Sequence, residues 1–298
     1  MPETKLHDDE VDIDVTIVKH LIAKQFPQYD RQVVSALVPS GTDNKMFKLG
    51  LDKIVRLPRT SGAVASLQKE EKWLPIIGEN LPTAVPIPIH AGEPTKEYPF
   101  PWLIIPFISG STPGLSNPLD GEQAAFDLAK FIGAMQQQDT NGAPLCTRGQ
   151  HIKNRDSAVR KSVELLGDEY DLDQLLEIWN DSVNTPRWEG PSCWIHGDLH
   201  VGNILSNGGK INAIVDFGLC GVGEPSCDFM PAWTLLKKEN REKFRSLINA
   251  DENCWKRARG WAFSMGVLGY PYYKNTNPIF ASIAKNAMDQ AIADFVGY

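Results

Sequence analysis

An α+β chain of two lobes, a small antiparallel-sheet lobe followed by a larger, mainly helical one, is the fold class this sequence predicts. Short strand-like runs crowd the first third of the chain, and beyond residue 120 the apolar spacing turns helical and stays so to the end. At 298 residues the chain is long enough for two apolar cores. The expected boundary sets residues 1–108 as a five-stranded lobe with flanking helices and 109–298 as the helical lobe.

In order, Val11, Val15, Val18, Leu21, Ile22 and Phe26 recur at helical spacing, and Pro27 ends the run. Strand-like runs follow at 33–38, 45–49 and 53–57. They are separated by Gly41-Thr42-Asp43-Asn44 and Gly50-Leu51-Asp52, turn formers that tolerate positive φ. Alternation in the third run puts Ile54 and Arg56 on one face, Lys53 and Val55 on the other. Residues 63–77 read as a helix with Leu67, Leu74 and Ile77 on one stripe and with Glu70 and Glu71 in its middle. The proline-rich stretch 82–88 is extended, and Trp102 to Ile108 reads as a buried strand entering Ser109-Gly110-Ser111. Helices are then expected at 123–136, 171–180, around 254–270 and at 279–295. No repeat or low-complexity tract interrupts them.

Composition narrows the class. Hydrophobic residues are 42% and charged residues 22%, ordinary for a globular protein. No apolar run approaches the ~18–20 residues that span a bilayer, so no membrane role is expected. The acidic start, with Asp8, Asp9 and Glu10, is the opposite of a signal peptide, and a cytoplasmic location is expected. A net charge of −7 argues against nucleic acid as a partner and is compatible with a cationic substrate. The five cysteines hold no Cys-x-x-Cys pair, so buried or incidental thiols are the reading. A monomer or homodimer is expected.

The chemistry lies in 193–218. After the apolar run Cys193-Trp194-Ile195 comes His196-Gly197-Asp198-Leu199-His200-Val201-Gly202-Asn203, and after a turn Asp216-Phe217-Gly218. A carboxylate, a carboxamide five residues on (203 − 198) and a second carboxylate thirteen beyond that (216 − 203) form the spacing by which kinase-type folds hold an attacking hydroxyl and Mg²⁺. Asp198 can accept a hydroxyl proton. Asn203 and Asp216 are hard oxygen donors of the kind Mg²⁺ prefers. Two short strands joined at Asn207-Gly208-Gly209, a hairpin signal, would return Asp216 beside Asn203.

The segment resembles the aminoglycoside phosphotransferase-like kinase family, whose signature is His-Gly-Asp-Leu-His-x-Gly-Asn followed by Asp-Phe-Gly. Gln25-Phe26-Pro27, Arg56-Leu57-Pro58-Arg59, Trp73-Leu74-Pro75, Arg148-Gly149 and Arg259-Gly260-Trp261-Ala262 extend the resemblance over nearly the whole chain. It implies a protein-kinase-like bilobal fold and transfer of the γ-phosphoryl of ATP, or of GTP, with Mg²⁺. The acceptor implied is a small-molecule hydroxyl, an aminoglycoside-like one first, with antibiotic resistance as an expected role; macrolides and other metabolites are alternatives.

By the same resemblance Asp198 is the base and Asn203 and Asp216 are the metal ligands. His196 and His200 shape the loop, and Asp228 holds it from a helix start. Arg56 aligns with the nucleotide-phosphate lysine, partnered by Glu70 with Glu71 as the alternative, and the loop 40–44 would lie over the phosphates. Ile105, Pro106, Phe107 and Ile108 are the adenine-contacting hinge, whose N–H donor is Phe107 or Ile108 because Pro106 has none. Acceptor residues are expected within 150–180 and 254–275, where Asp156, Glu177 and Asp181 would either meet amines or be solvated helix faces. A pseudokinase is disfavoured by the intact triad, and a protein kinase by the lack of an Ala-Pro-Glu-like anchor after Gly218.

Overall fold

The structure, a computed structural model, describes residues 10–37, 41, 43–114 and 116–297. The chain divides into two compact units, one running through Ser109 apart from Leu81–Thr83, the other made of Leu81–Thr83 and everything from Gly110 onward.

In the first unit Asp14 opens helix α1 (Val15–Gln25), its side chain accepting the Ile17 N–H at 2.8 Å. Such a cap contributes about 1 kcal/mol. Strands β1 (Val34–Ala36), β2 (Asn44–Leu49), β3 (Lys53–Pro58), β4 (His90–Gly92) and β5 (Trp102–Pro106) form one antiparallel sheet in the order β1-β2-β3-β5-β4. In this register Arg56 lies opposite Met46 on one side and Leu103 on the other.

Period-two alternation sorts the sheet's two faces. Phe47, Leu49, Val55, Leu57, Trp102 and Ile104 pack with Val18, Leu21 and Ile22 of α1. Ile54, Leu103 and Ile105 pack with Leu67 of helix α2 (Val64–Gly78), joined by half-buried Leu37, Met46 and Phe107. Arg56 therefore shares the face of Ile54, as alternation requires.

Of the five strands, β4 is the one not read from the sequence, and it follows the proline-rich stretch 82–88. One expectation needs correction. The first strand is shorter than 33–38, beginning after the exposed Val33, and Val38 lies outside the described residues.

The second unit is built from helices α3 (Gly121–Gln136), α4 (Asp156–Val163), α5 (Leu172–Val183), α6 (Pro231–Thr234), α7 (Lys238–Leu247), α8 (Glu252–Tyr273) and α9 (Pro278–Val296). Two small antiparallel pairs complete it, β6 (Cys193–Ile195) with β9 (Gly221–Gly223) and β7 (Ile204–Asn207) with β8 (Lys210–Ile214). Helix α8 runs through the core and is buried nearly continuously from Cys254 to Val267, with Phe263 stacked on Trp179 of α5 at 6.4 Å. Helix α7 escaped the sequence reading because only Phe244 and Leu247 are apolar in it; it buries Phe244 and the Arg241 stem. No helix among the described residues is long and apolar enough to cross a membrane.

Candidate active site

Strand β6 delivers the chain into the loop 196–203, and the buried Asp228 sets that loop's backbone. Its two carboxylate oxygens accept the N–H groups of His196 at 2.6 Å and Gly197 at 2.8 Å. Asp228 acts from a 3₁₀ turn, Pro225–Phe229, rather than from the start of an α-helix as expected. Burial pushes its carboxyl above the usual range, against the pull of His196 and the two N–H groups.

Gly197 has φ +79, and a Cβ there would stand 2.6 Å from Cys146 Sγ and 2.9 Å from the Leu219 carbonyl, so only glycine fits. His196 accepts the Asp198 N–H on Nδ1 at 3.2 Å, which leaves the proton on Nε2, 3.1 Å from the Val215 carbonyl that accepts it. Its ring lies 4.5 Å from Phe217. His196 thus ties the loop to the segment that carries Asp216.

Asp198 follows directly. Its Oδ1 is ion-paired with Nη1 of Arg148, and His200 Nε2 lies 3.7 Å away. Burial raises the Asp198 carboxyl, but Arg148, His200 and His196 outweigh it and hold the group below the usual carboxylate range. It is an anion at neutral pH, as a proton acceptor must be. His200 accepts the Gly202 N–H on Nδ1 at 3.0 Å and packs edge-on against Phe280. Burial holds His200 below its ordinary value, so it stays neutral.

The hairpin returns the chain as its sequence requires. Gly208 and Gly209 both have positive φ, +58 and +79, the pair of values a type I′ turn needs. Ile204 pairs with Ile214, and the Val215 N–H donates to the Asn203 carbonyl at 3.0 Å, so Asp216 emerges next to Asn203. Asn203 Nδ2 donates to the Asp198 carbonyl at 3.0 Å. This bond fixes which way the amide points and turns Oδ1, the metal-competent atom, away from it. Asp216 sits at φ +67, a left-handed conformation that costs a non-glycine residue of order 1 kcal/mol and is characteristic of working sites.

The first unit holds a cluster of its own. Arg56 Nη1 donates to Glu70 Oε2, both side chains almost fully buried. Glu70, not Glu71, is the partner. It falls on the buried stripe with Leu67, Leu74 and Ile77, a signal the spacing already carried. Asn44, which the sequence offers only as a turn former, completes the grip: with its amide oriented oxygen toward the guanidinium, the only orientation that satisfies both groups, Oδ1 accepts from Arg56 Nε at 3.2 Å and Nη2 at 3.1 Å.

Along the same face Leu37, Met46, Ile54, Ile105 and Phe107 present an apolar surface. Of the two expected hinge donors, Phe107 and Ile108, the Phe107 N–H donates to the Asp52 carbonyl at 2.8 Å. Within the loop 40–44, Ser40 and Thr42 lie outside the described residues.

Of the acidic residues expected either to meet amines or to be solvated helix faces, Asp156 and Asp181 are engaged and Glu177 is exposed. Asp156 accepts from Arg160 and from Trp179 Nε1, and Asp181 is paired with Lys256 and Arg259. Four of the five cysteines are buried and Cys193 is partly so.

The family model of the phosphotransferase enzyme family matches residues 36–261. Among solved structures, the chain is similar to wild-type aminoglycoside 2'-phosphotransferase-IIIa in its GDP complex, at 17% identity and a TM-score of 0.73. That match covers 95% of this chain and 100% of that one. It is similar to APH(2")-IIa in a ternary complex with streptomycin and ATP, at 16% identity and 0.59, covering 91% and 95%. The macrolide 2'-phosphotransferase MphH from Brachybacterium faecium matches at 18% identity and 0.61, covering 93% and 98%.

Proposed function

This chain belongs to the phosphotransferase enzyme family, and from that premise we propose that it moves the γ-phosphoryl group of ATP or GTP to a hydroxyl of a small molecule. The observation that supports this most is the carboxylate of Asp198, held ionised beside an Asn203 amide whose nitrogen is already occupied and an Asp216 in the left-handed conformation. Asp198 takes the acceptor's hydroxyl proton as the acceptor oxygen forms its bond to phosphorus. The bond from phosphorus to the β–γ bridging oxygen breaks, and the nucleoside diphosphate leaves with that electron pair.

Mg²⁺ fits the donors present, one carboxylate and one carboxamide oxygen, both hard. No group of three His, Cys, Asp or Glu side chains gathers to hold a metal by itself among the described residues. Asn203 and Asp216 would hold the ion, with phosphate and water oxygens filling its shell. When bound, it supplies neutralisation of phosphate charge. Arg56, steadied by Glu70 and Asn44, serves the nucleotide phosphates. The apolar face of Met46, Ile54 and Ile105 serves the base, with Ile108 as hinge donor and Phe107 contributing its ring.

Kinship alone puts an aminoglycoside-like acceptor first and a macrolide second. The engagement of Asp156 and Asp181 by arginine and lysine moves the acceptor question to the side chains around Asp198. The test is calorimetry of nucleotide binding with and without Mg²⁺. Wild type is expected to bind only with the ion, and Asp216→Ala to lose that binding; an Asp216→Ala protein that still binds nucleotide in a Mg²⁺-dependent way overturns the assignment.

A further inference from the structure

Helices α8 and α9 meet the loop 196–203 at one end and border a cavity at the other. At the first end the Phe280 ring of α9 lies 5.6 Å from the His200 ring. Gly269 of α8 packs there too, since a Cβ on it would stand 3.1 Å from the Phe280 ring. At the other end a cavity of about 480 Å³ opens among Asn180, Asp181, Asn184, Asn253, Lys256 and Phe295. Phe295 is fifteen residues beyond Phe280 (295 − 280), ~22 Å along α9 at a rise of ~1.5 Å per residue. Lys256 is thirteen residues before Gly269 (269 − 256), ~20 Å along α8. The cavity is therefore separate from the site around Asp198.

Its base is fixed by side chains from three helices. Asp181 of α5 accepts from Lys256 at 2.9 Å and from Arg259 at 2.6 Å, which ties α5 to α8. The Arg259 guanidinium lies 5.1 Å over the Phe295 ring and pairs with Asp294 at 3.4 Å, which ties in α9. Thr185 Oγ1 donates to the Asp181 carbonyl at 2.7 Å and keeps its lone pairs. Asn180 Oδ1 accepts from Arg160 Nη2 at 2.6 Å and keeps its Nδ2 donors. The other polar side chains at the cavity, Glu177, Asn184 and Asn253, make no hydrogen bond or ion pair among the described residues.

We propose that this cavity is a second binding site, distinct from the acceptor site at Asp198, for an uncharged, hydroxyl-rich compound, a saccharide of one or two rings. Carboxamides and a carboxylate set donors and acceptors side by side, which pairs them with neighbouring hydroxyl groups. The Phe295 ring suits the apolar C–H face of a sugar. The volume lies within the ~300–1,000 Å³ of small-molecule sites. Charge selects against the alternatives. An anion would meet the unpaired Glu177 carboxylate, and a polycation would meet Lys256 with Arg259 behind it.

The test titrates glucose, maltose and trehalose calorimetrically into the full chain, with and without Mg²⁺ and a non-hydrolysable ATP analogue. Saturable binding of at least one, with Kd of ~1 mM or tighter, is expected in both conditions. Asn184→Ala combined with Asn253→Ala should weaken it at least ~10-fold. Both positions are exposed, so the fold is spared, and circular dichroism checks this. Asp198→Asn should leave it unchanged. Failure of all three sugars to bind wild type overturns the proposal. So does binding that survives the double asparagine variant, because the sugar then sits elsewhere. Binding lost in Asp198→Asn also overturns it, because the sugar then occupies the acceptor site. Glu177→Gln keeps an acceptor and removes the charge, and should hold affinity within ~3-fold. A loss of ~10-fold or more would mark a cationic ligand and overturn the uncharged class. Failure of the phosphotransferase reading would look different, with no Mg²⁺-dependent nucleotide binding while the sugar still binds.

Discussion

Among the arginine–carboxylate pairs of the two units, Arg56–Glu70 and Arg148–Asp198 belong to the candidate site residues, and these two differ in burial. In Arg56–Glu70 the side chains are 7% and 2% exposed, and Asn44 takes further guanidinium donors. In Arg148–Asp198 they are 33% and 20% exposed. Coulomb attraction in a secluded site is strong but so is the cost of leaving either charge alone. A buried pair is therefore fixed, and suits an arginine whose task is to present a constant cation. A half-exposed pair exchanges partners with solvent or ligand at small cost, which suits a carboxylate that must be freed for a proton. The same two residue types thus serve as a brace in one place and as a latch in the other.

If burial makes the difference, Glu70→Ala should be the costliest change, because it leaves Arg56 charged and secluded. About 3–5 kcal/mol of stability should be lost, read from urea unfolding, and Arg56→Met added to it should recover part. A loss within experimental error would make the two pairs equivalent.

Asp198→Asn should remove the proton acceptor while sparing the fold. A fall in kcat of at least ~10²-fold, ~2.7 kcal/mol, is expected with nucleotide affinity little changed. Unchanged turnover would take the base role from Asp198.

Asn44→Ala should cost ~1–3 kcal/mol and weaken nucleotide binding, since one acceptor serving two guanidinium donors is lost. Neutrality in both readouts would show Glu70 to be sufficient.

The smallest effect concerns pH. Burial keeps His200 unprotonated in the fold, with Arg148 adding to the depression and Asp198 and Asp216 opposing it, so the unfolded chain binds a proton that the folded loop refuses. Stability should therefore fall as pH drops through the ordinary histidine value of 6.5. Asp198, also depressed, adds its loss only at lower pH, below its ordinary value of 3.8. His200→Asn should flatten the dependence of the urea midpoint between about pH 5 and 7. An unaltered slope would assign it to other groups.

Legibility tracked sequence distance. Asp198, Asn203 and Asp216 could be read because one loop and one hairpin hold them, and two glycines with positive φ close that hairpin. Glu70 could be read because helical periodicity places it on a buried stripe. Arg148 could not, since fifty residues separate it from Asp198 and no local pattern joins them. Asn44 reads as a turn residue until β2 and β3 pair and set it beside Arg56. Phe107 and Ile108 could not be told apart as hinge donors for a similar reason, because the Phe107 N–H meets the Asp52 carbonyl only once β3 and β5 pair.

Alone, the amino-acid sequence determined the two-unit α+β class, the family and the spacing of the proton acceptor and metal donors, all properties of periodicity and short-range geometry. Only the tertiary structure decided which charges are buried, which are paired and which backbone donors are consumed. Those depend on groups brought together from distant parts of the chain, and burial sets the strength of every charge they carry.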